Sequence, residues 1–290
     1  MTVALPPLPS QRLLSAAFEE TAAREQVAVE AVEKDFYLTR LIWAIAQEFG
    51  DGLLLKGGTL LSKVDLGYRR MSEDVDLVIP VAADLRLGYA PSNGQRLDGI
   101  GKRIRAFGEV AGPRLVNIVG DRAARNGSVQ WDALYSSAYG AQGILLEASF
   151  RHIQRPGRRA TLNQLLDGPE ATDYADAFCF ALDADEARAE KVRAAFTRRE
   201  IRDYYDLAAL LDTGADFVSA EFVALVNTKL AEYPARSLAQ QPAGFGIVPR
   251  QLAVLEADVD RNLAAMVRRN ERRFDLRETI TRFDSLWGKA

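Results

Sequence analysis

Two aspartates one residue apart, Asp74 and Asp76 in Ser72-Glu73-Asp74-Val75-Asp76-Leu77, are the first residues here whose types and spacing suggest chemistry. In an extended segment, side chains at i and i+2 leave on the same face, so both carboxylates can reach one place. Held together they repel and lose hydration unless something positive sits between them. A divalent cation meets that need, and oxygen ligands suit Mg²⁺, with Mn²⁺ the alternative ion. A pair of such ions can activate an attacking oxygen and stabilise a departing pyrophosphate. A bare Asp-x-Asp is more often a solvated strand edge, so the pair does not decide the matter alone. Val75, Leu77 and Ile79 mark the opposite face as buried, while Ser72, Glu73 and the charges of Arg69-Arg70 lie on the approach.

Upstream stands Gly57-Gly58-Thr59, between an apolar run and a helical pattern. Two glycines let the backbone approach a ligand closely, helix-start N–H groups favour phosphate, and the Thr59 hydroxyl adds a donor. No Lys-Ser/Thr follows at Walker A spacing, and many Gly-Gly pairs are only tight turns. Downstream, Glu147 interrupts the apolar run Leu145-Leu146-Glu147-Ala148. A carboxylate there either completes a metal site from a neighbouring strand or faces solvent. Farther on, Lys191, Ala194 and Arg198 fall at i, i+3 and i+7, one face of a helix with room for a triphosphate beside the alanine. The bland alternative is an amphipathic surface helix. Arg202-Asp203-Tyr204-Tyr205-Asp206 follows, and Asp203 beside Arg202 reads as a helix cap.

The elements that must position these groups can be read from periodicity. Residues 11–24 and 30–49 are amphipathic helices, the second stopped by Gly50-Asp51-Gly52. Leu53-Leu54-Leu55 is a buried strand, 60–66 a short helix, and 74–80 a strand ended by Pro80. An excursion over 81–96 leads to a helix near 97–110. Strands follow at 115–119, 129–135 and 143–150. From about residue 184 the pattern turns helical: 184–197, 202–211, 219–233, 249–268 and 277–287. Helices, then a mixed sheet, then helices indicate an α+β chain with a helical C-terminal part.

With 290 residues, 48% hydrophobic, the chain can bury a core without disulfides or structural metal. Its single cysteine and single histidine exclude a Cys/His zinc site, and Cys179 within Phe178-Cys179-Phe180 reads as core packing. The first residues lack a signal-peptide pattern and no apolar stretch nears the ~20 residues of a membrane span, so a soluble, cytoplasmic protein without a membrane partner is expected. A formal charge of −3 argues against a generic nucleic-acid coat. Local basic patches remain at Arg69-Arg70, Arg151 to Arg159, Arg198-Arg199-Arg202 and Arg268-Arg269-Arg272-Arg273.

Taken in order, the motifs are those of a known family. Leu55-Lys56-Gly57-Gly58-Thr59-Leu60-Leu61-Ser62-Lys63 followed by Ser72-Glu73-Asp74-Val75-Asp76-Leu77 resembles the nucleotidyltransferase superfamily related to DNA polymerase β. More narrowly it resembles the AbiEii/AbiGii toxin family, which includes the MenT toxins. Val32 to Leu41 is similar to that family's opening helix. Lys191 to Arg198 contains its Lys-x-x-Ala-x-x-x-Arg motif, and Arg202-Asp203-Tyr204-Tyr205-Asp206 its Arg-Asp-x-x-Asp motif. The resemblance implies a polymerase β-like mixed sheet flanked by helices over residues 1–180, with residues 181–290 forming a helical domain that carries the last two motifs. It implies Asp74 and Asp76 as metal ligands, with Glu147, read from its apolar strand alone, either the third ligand or a solvent-facing side chain, and Gly57, Gly58, Thr59, Ser72, Lys191 and Arg198 as nucleotide contacts. Asp206 or Asp203 would orient Lys191 or Arg198 or help position the attacking hydroxyl, with Asp206 favoured and Arg202 and Asp203 supporting. The implied activity is nucleotide transfer from a nucleoside triphosphate, with a tRNA 3′ end as acceptor, by the toxin of a toxin–antitoxin or phage-defence pair whose antitoxin resembles AbiEi. Two alternatives remain: transfer to a protein or small-molecule hydroxyl, and a non-catalytic nucleotide-binding module.

Overall fold

The computed structural model describes residues 5–81, 95–96, 98–100, 102–103, 115–124, 128–168, 174–232, 245–264, 266–267 and 274–287. Two compact units divide the chain, Met1–Leu182 and Asp183–Ala290. Among the described residues no helix is long and apolar enough to cross a membrane.

In the first unit α1 (Gln11–Glu25) begins where the Ser10 hydroxyl accepts the N–H of Leu13, and ends at Gln26 in the left-handed region. Helix α2 (Val29–Phe49) buries Phe36, Leu41, Ile42 and Ile45 of the stripe that recurs at helical spacing in its sequence, with Phe49 at its end half-buried. Strand β1 (Leu54–Lys56) is short and apolar and leads directly into α3 (Gly57–Leu60), which widens into a π turn over Leu61–Asp65. The two glycines therefore belong to the first helical turn rather than to a loop before it. Strand β2 (Val75–Val81) buries Val75, Leu77, Val78 and Ile79.

The remaining strands are β3 (Leu115–Ala124), β4 (Ser128–Ser136), β5 (Ala141–His152), β6 (Arg158–Thr161) and β7 (Phe178–Ala181). Their order is β3-β4-β5-β2-β1-β7-β6. The β2/β5 and β1/β7 pairs are parallel and the others antiparallel, so the sheet is mixed, as the sequence layout implies. Strands β6 and β7 have no counterpart among the elements read from sequence. Each is only four residues long, and β6 is largely polar. Cys179 lies in β7 with 1% exposure, in the packing role expected of it, and burial pushes its thiol up to about 12. Of the excursion expected over 81–96, residues 82–94 lie outside the described residues. The helix expected near 97–110 is described only at 98–100 and 102–103, which are helical.

A buried ionic network ties the β1–α3 corner to α2. The Lys63 ammonium lies 2.5 Å from Asp35 Oδ1 and 2.8 Å from the Tyr68 hydroxyl, which is itself 2.9 Å from both Asp35 oxygens. The Leu165 N–H donates to Asp35 Oδ2 at 3.0 Å. Burial lowers the Lys63 pKa despite the attraction of Asp35.

The second unit contains α4 (Ala184–Thr197), α5 (Ile201–Asp212), α6 (Ala220–Ala231), α7 (Pro249–Asp258) with a π turn over Val259–Leu263, and α8 (Leu276–Trp287). Phe196, Phe245, Phe283 and Trp287 form an aromatic cluster at its core, with ring centroids 4.9–5.8 Å apart. Lys229 is buried against Glu186 and Glu190. The basic run at Arg268-Arg269 and Arg272-Arg273 lies outside the described residues.

Candidate active site

In the first unit the sheet register sets out the acidic groups. Asp76 on β2 is the direct partner of Glu147 on parallel β5 and of Lys56 on antiparallel β1, and Glu147 is in turn the partner of Gln130 on β4. Partner residues on adjacent strands share a face, so Lys56, Asp76, Glu147 and Gln130 form one row across four strands. Glu147 is half-buried and accepts a hydrogen bond from Gln130 Nε2 at 2.8 Å. It lies on the strand next to Asp76, on the same face of the sheet. Asp74 is half-buried just before β2.

The glycine turn is pressed against these carboxylates. Gly57 has φ +72, and a Cβ built there would stand 2.5 Å from Asp76 Oδ2. A Cβ on Gly58 would stand 2.5 Å from Arg70 Nη2 and 3.2 Å from Ser72 Oγ. The glycines are thus needed for close approach to the acidic strand. The Thr59 hydroxyl lies 2.8 Å from Ser72 Oγ and contacts the Asp74 carbonyl, and the residue is 1% exposed. These contacts pin the segment leading into β2. Arg70, 5% exposed, donates to the Met71 carbonyl at 3.0 Å beside Gly58.

Sequence reasoning left Lys56 and Gln130 out of the site and read Arg70 only as charge on its approach. A lysine ending an apolar strand directly before Gly-Gly, and an arginine two residues before Ser72, were signals for Lys56 and Arg70. Gln130 becomes visible only through strand register. Of the basic stretch Arg151 to Arg159, Arg158 is absorbed by Asp65 and the Leu182 carbonyl, and Arg159 covers the Phe178 ring with its guanidinium carbon 3.9 Å from the centroid. These two arginines finish a sheet edge.

Carboxylates on a common face with a glycine cradle against one of them make a donor set of hard oxygens, which fits a divalent cation. Among the described residues no three His, Cys, Asp or Glu side chains are grouped closely enough to form a ready-made metal site. Glu147 is drawn instead toward Gln130.

In the second unit the helical motif pair makes a compact ionic centre. Lys191 Nζ lies 3.0 Å from Asp203 Oδ1 and 2.8 Å from Asp206 Oδ2. Arg198 forks onto Asp203, with Nε to Oδ2 at 3.0 Å and Nη2 to Oδ1 at 2.9 Å. Lys191 is 4% exposed, Asp206 1% and Asp203 fully buried, whereas the Arg198 side chain is 48% exposed. Burial raises the Asp203 pKa, but the charges of Lys191 and Arg198 outweigh it and hold the carboxyl below its usual range. Asp203 is therefore no helix cap: the cap position belongs to Glu200, and the Asp203 side chain turns inward to the two cations. Lys191 spends two of its three donor positions on the aspartates. Arg202 pairs at 2.6 Å with Glu200, and both are 42% exposed, a surface pair of small energetic weight.

The first unit thus presents a mixed sheet with a glycine turn facing strand-borne acids, and the second a helical Lys/Arg/Asp centre. The model of the AbiEii family, described as nucleotidyl transferase AbiEii toxin of a type IV toxin–antitoxin system, matches residues 40–287, and the chain belongs to this family. It is accordingly a nucleotidyltransferase, of a family that implies a nucleoside triphosphate substrate, a divalent metal and an antitoxin partner. MenT4, a nucleotidyltransferase toxin of Mycobacterium tuberculosis H37Rv, is similar in structure at 18% identity, covering 94% of this chain and 93% of that one, with a TM-score of 0.54. JHP933 of Helicobacter pylori is similar at 14% identity, covering 91% and 94%, with a TM-score of 0.55. Likeness at these identities speaks for the fold. The sequence matches no curated protein.

Proposed function

We propose that the chain transfers a nucleotide from a nucleoside triphosphate to the 3′ end of tRNA, as the toxin of a type IV-like pair with an AbiEi-like antitoxin. The acceptor hydroxyl oxygen bonds to the α-phosphorus, the α–β bridging P–O bond breaks, and pyrophosphate leaves. The observation carrying this reading is the register that sets Asp76 beside Glu147 with Gly57 against the Asp76 carboxylate. Asp74, Asp76 and Glu147 would hold Mg²⁺, or Mn²⁺, which when bound offsets their mutual repulsion and stabilises the charge of the departing pyrophosphate. Gly57, Gly58 and Ser72 would bring backbone and hydroxyl donors to the phosphates, with Thr59 fixing Ser72. Lys191 and Arg198 would contact phosphate oxygens, and Asp203 and Asp206 would orient them.

The net charge of −3 favours a second reading, transfer to a protein or small-molecule hydroxyl. Incubation with Mg²⁺, each labelled triphosphate in turn and total tRNA, compared with Asp76→Ala, separates the two. Label on tRNA that disappears with Asp76→Ala is expected. Label on the protein itself would transfer the conclusion to the second reading. Triphosphate binding without transfer to any acceptor would leave a non-catalytic nucleotide-binding module.

A further inference from the structure

The second unit holds a cavity of about 490 Å³ lined by Arg198, Arg199, Val248, Arg250, Gln251, Val254 and Leu255. Its charge is one-sided: three arginines and no acid among the described lining residues. Surface arginines commonly sit against carboxylates, yet Arg199 and Arg250 form no ion pair with any described residue. Arg199 instead donates through Nη1 to Gln251 Oε1, which also accepts the Val248 N–H at 3.2 Å. With its oxygen taken, the Gln251 amide NH₂ has no partner among the described residues. The floor is apolar, and Val248 and Val254 are 52% and 58% exposed. Arg199 itself has φ +56, a conformation that non-glycine side chains rarely adopt.

From these features we infer that the cavity receives one nucleoside unit of a single-stranded RNA segment of the acceptor, distinct from the incoming triphosphate. Its volume falls in the range of small-ligand sites. Planar guanidiniums match phosphate oxygens bidentately. The aliphatic floor takes the face of a base or sugar, and the Gln251 NH₂ offers donors to a base edge. An acidic peptide would satisfy the charge but leave the apolar floor unfilled. Arg198 links the cavity to the ionic centre, since it is one of the lining residues and its guanidinium forks onto Asp203.

The inference rests on the tRNA reading above, and its test separates the failure of one from the failure of the other. Binding of end-labelled total tRNA is measured against salt for wild type, Val254→Trp, which fills the cavity, and Arg250→Glu, which reverses a rim charge. Both positions are exposed, and matching circular dichroism and thermal unfolding establish that the variants fold. The expected result is at least tenfold weaker tRNA binding for each variant and a salt slope smaller by about one for Arg250→Glu. The apparent KM for the triphosphate should change less than twofold. Tight tRNA binding by wild type and Val254→Trp alike would overturn this inference and leave the tRNA reading standing. The same outcome with Val254→Trp-sensitive binding of a poly-glutamate peptide would assign the cavity to an acidic protein partner instead. No tRNA binding or labelling by wild type would overturn both.

Discussion

Gly57 and Asp203 show how far single positions constrain this protein. At Gly57 a methyl group would enter the space of the Asp76 carboxylate, and the positive φ adds backbone strain. We expect Gly57→Ala to lower kcat at least tenfold and to destabilise by about 1–3 kcal/mol, read by steady-state kinetics and thermal unfolding. Gly58→Ala should be milder, because it meets the movable end of Arg70. Asp203 neutralises two cations while fully buried, so Asp203→Ala should cost about 3–5 kcal/mol in denaturant unfolding. Its folded pKa is depressed, so its contribution to stability is present above the unfolded value near 3.9. As pH falls below that, the unfolded chain takes up a proton that the folded chain refuses, and stability drains until the folded pKa is passed. Wild type should therefore lose more stability than Asp203→Asn between about pH 5 and pH 2; equal slopes would contradict the assignment. The inward turn of Asp203 was not legible in sequence because Arg202 next to it offered a local partner. The winning partners lie one helix back.

Elements place these residues by length and register more than by propensity. Helices α1, α2 and α4 to α6 begin and end within a few residues of the positions their periodicity gives, because each buries a stripe that repeats along it. Asp76 on β2, with Asp74 just before the strand, was legible because Val75, Leu77 and Ile79 mark the buried face. Strands β6 and β7 were not: four residues give no periodicity to read, and β7 joins β1 across more than a hundred residues of sequence. Helix α3 shows the same limit, since its wide turn over Leu61–Asp65 accompanies a buried lysine held by Asp35 and Tyr68. Removing one side of that pair leaves a buried charge behind. Lys63→Met should destabilise by about 3–5 kcal/mol, and Lys63→Met with Asp35→Leu should cost less than the sum of the two single changes. Chemical denaturation of the four variants measures the coupling directly, and strict additivity would show the network to be dispensable.

At the scale of the whole molecule, Cys179 offers a reporter that needs no added label. It lies inside the sheet, 1% exposed, with its thiol pushed up to about 12. Alkylation by iodoacetamide at pH 8 should be slower than that of an unfolded chain by orders of magnitude and should follow opening of the sheet. Fast modification of the native protein would mean that the β7 side opens locally. The register between β2 and β5 has another consequence, for how such a chain can change in length. Seven successive pairs run from Val75 opposite Leu146 to Val81 opposite His152, with the acids at the second. Side chains alternate faces, so one residue gained or lost between the acids and the far end of either strand reverses one side of the row. Two residues restore it. Relatives that keep the acidic row should therefore differ within these strands by even numbers, or absorb an odd residue in a bulge beyond the acids. The constraint on this site is a parity as much as a set of side chains.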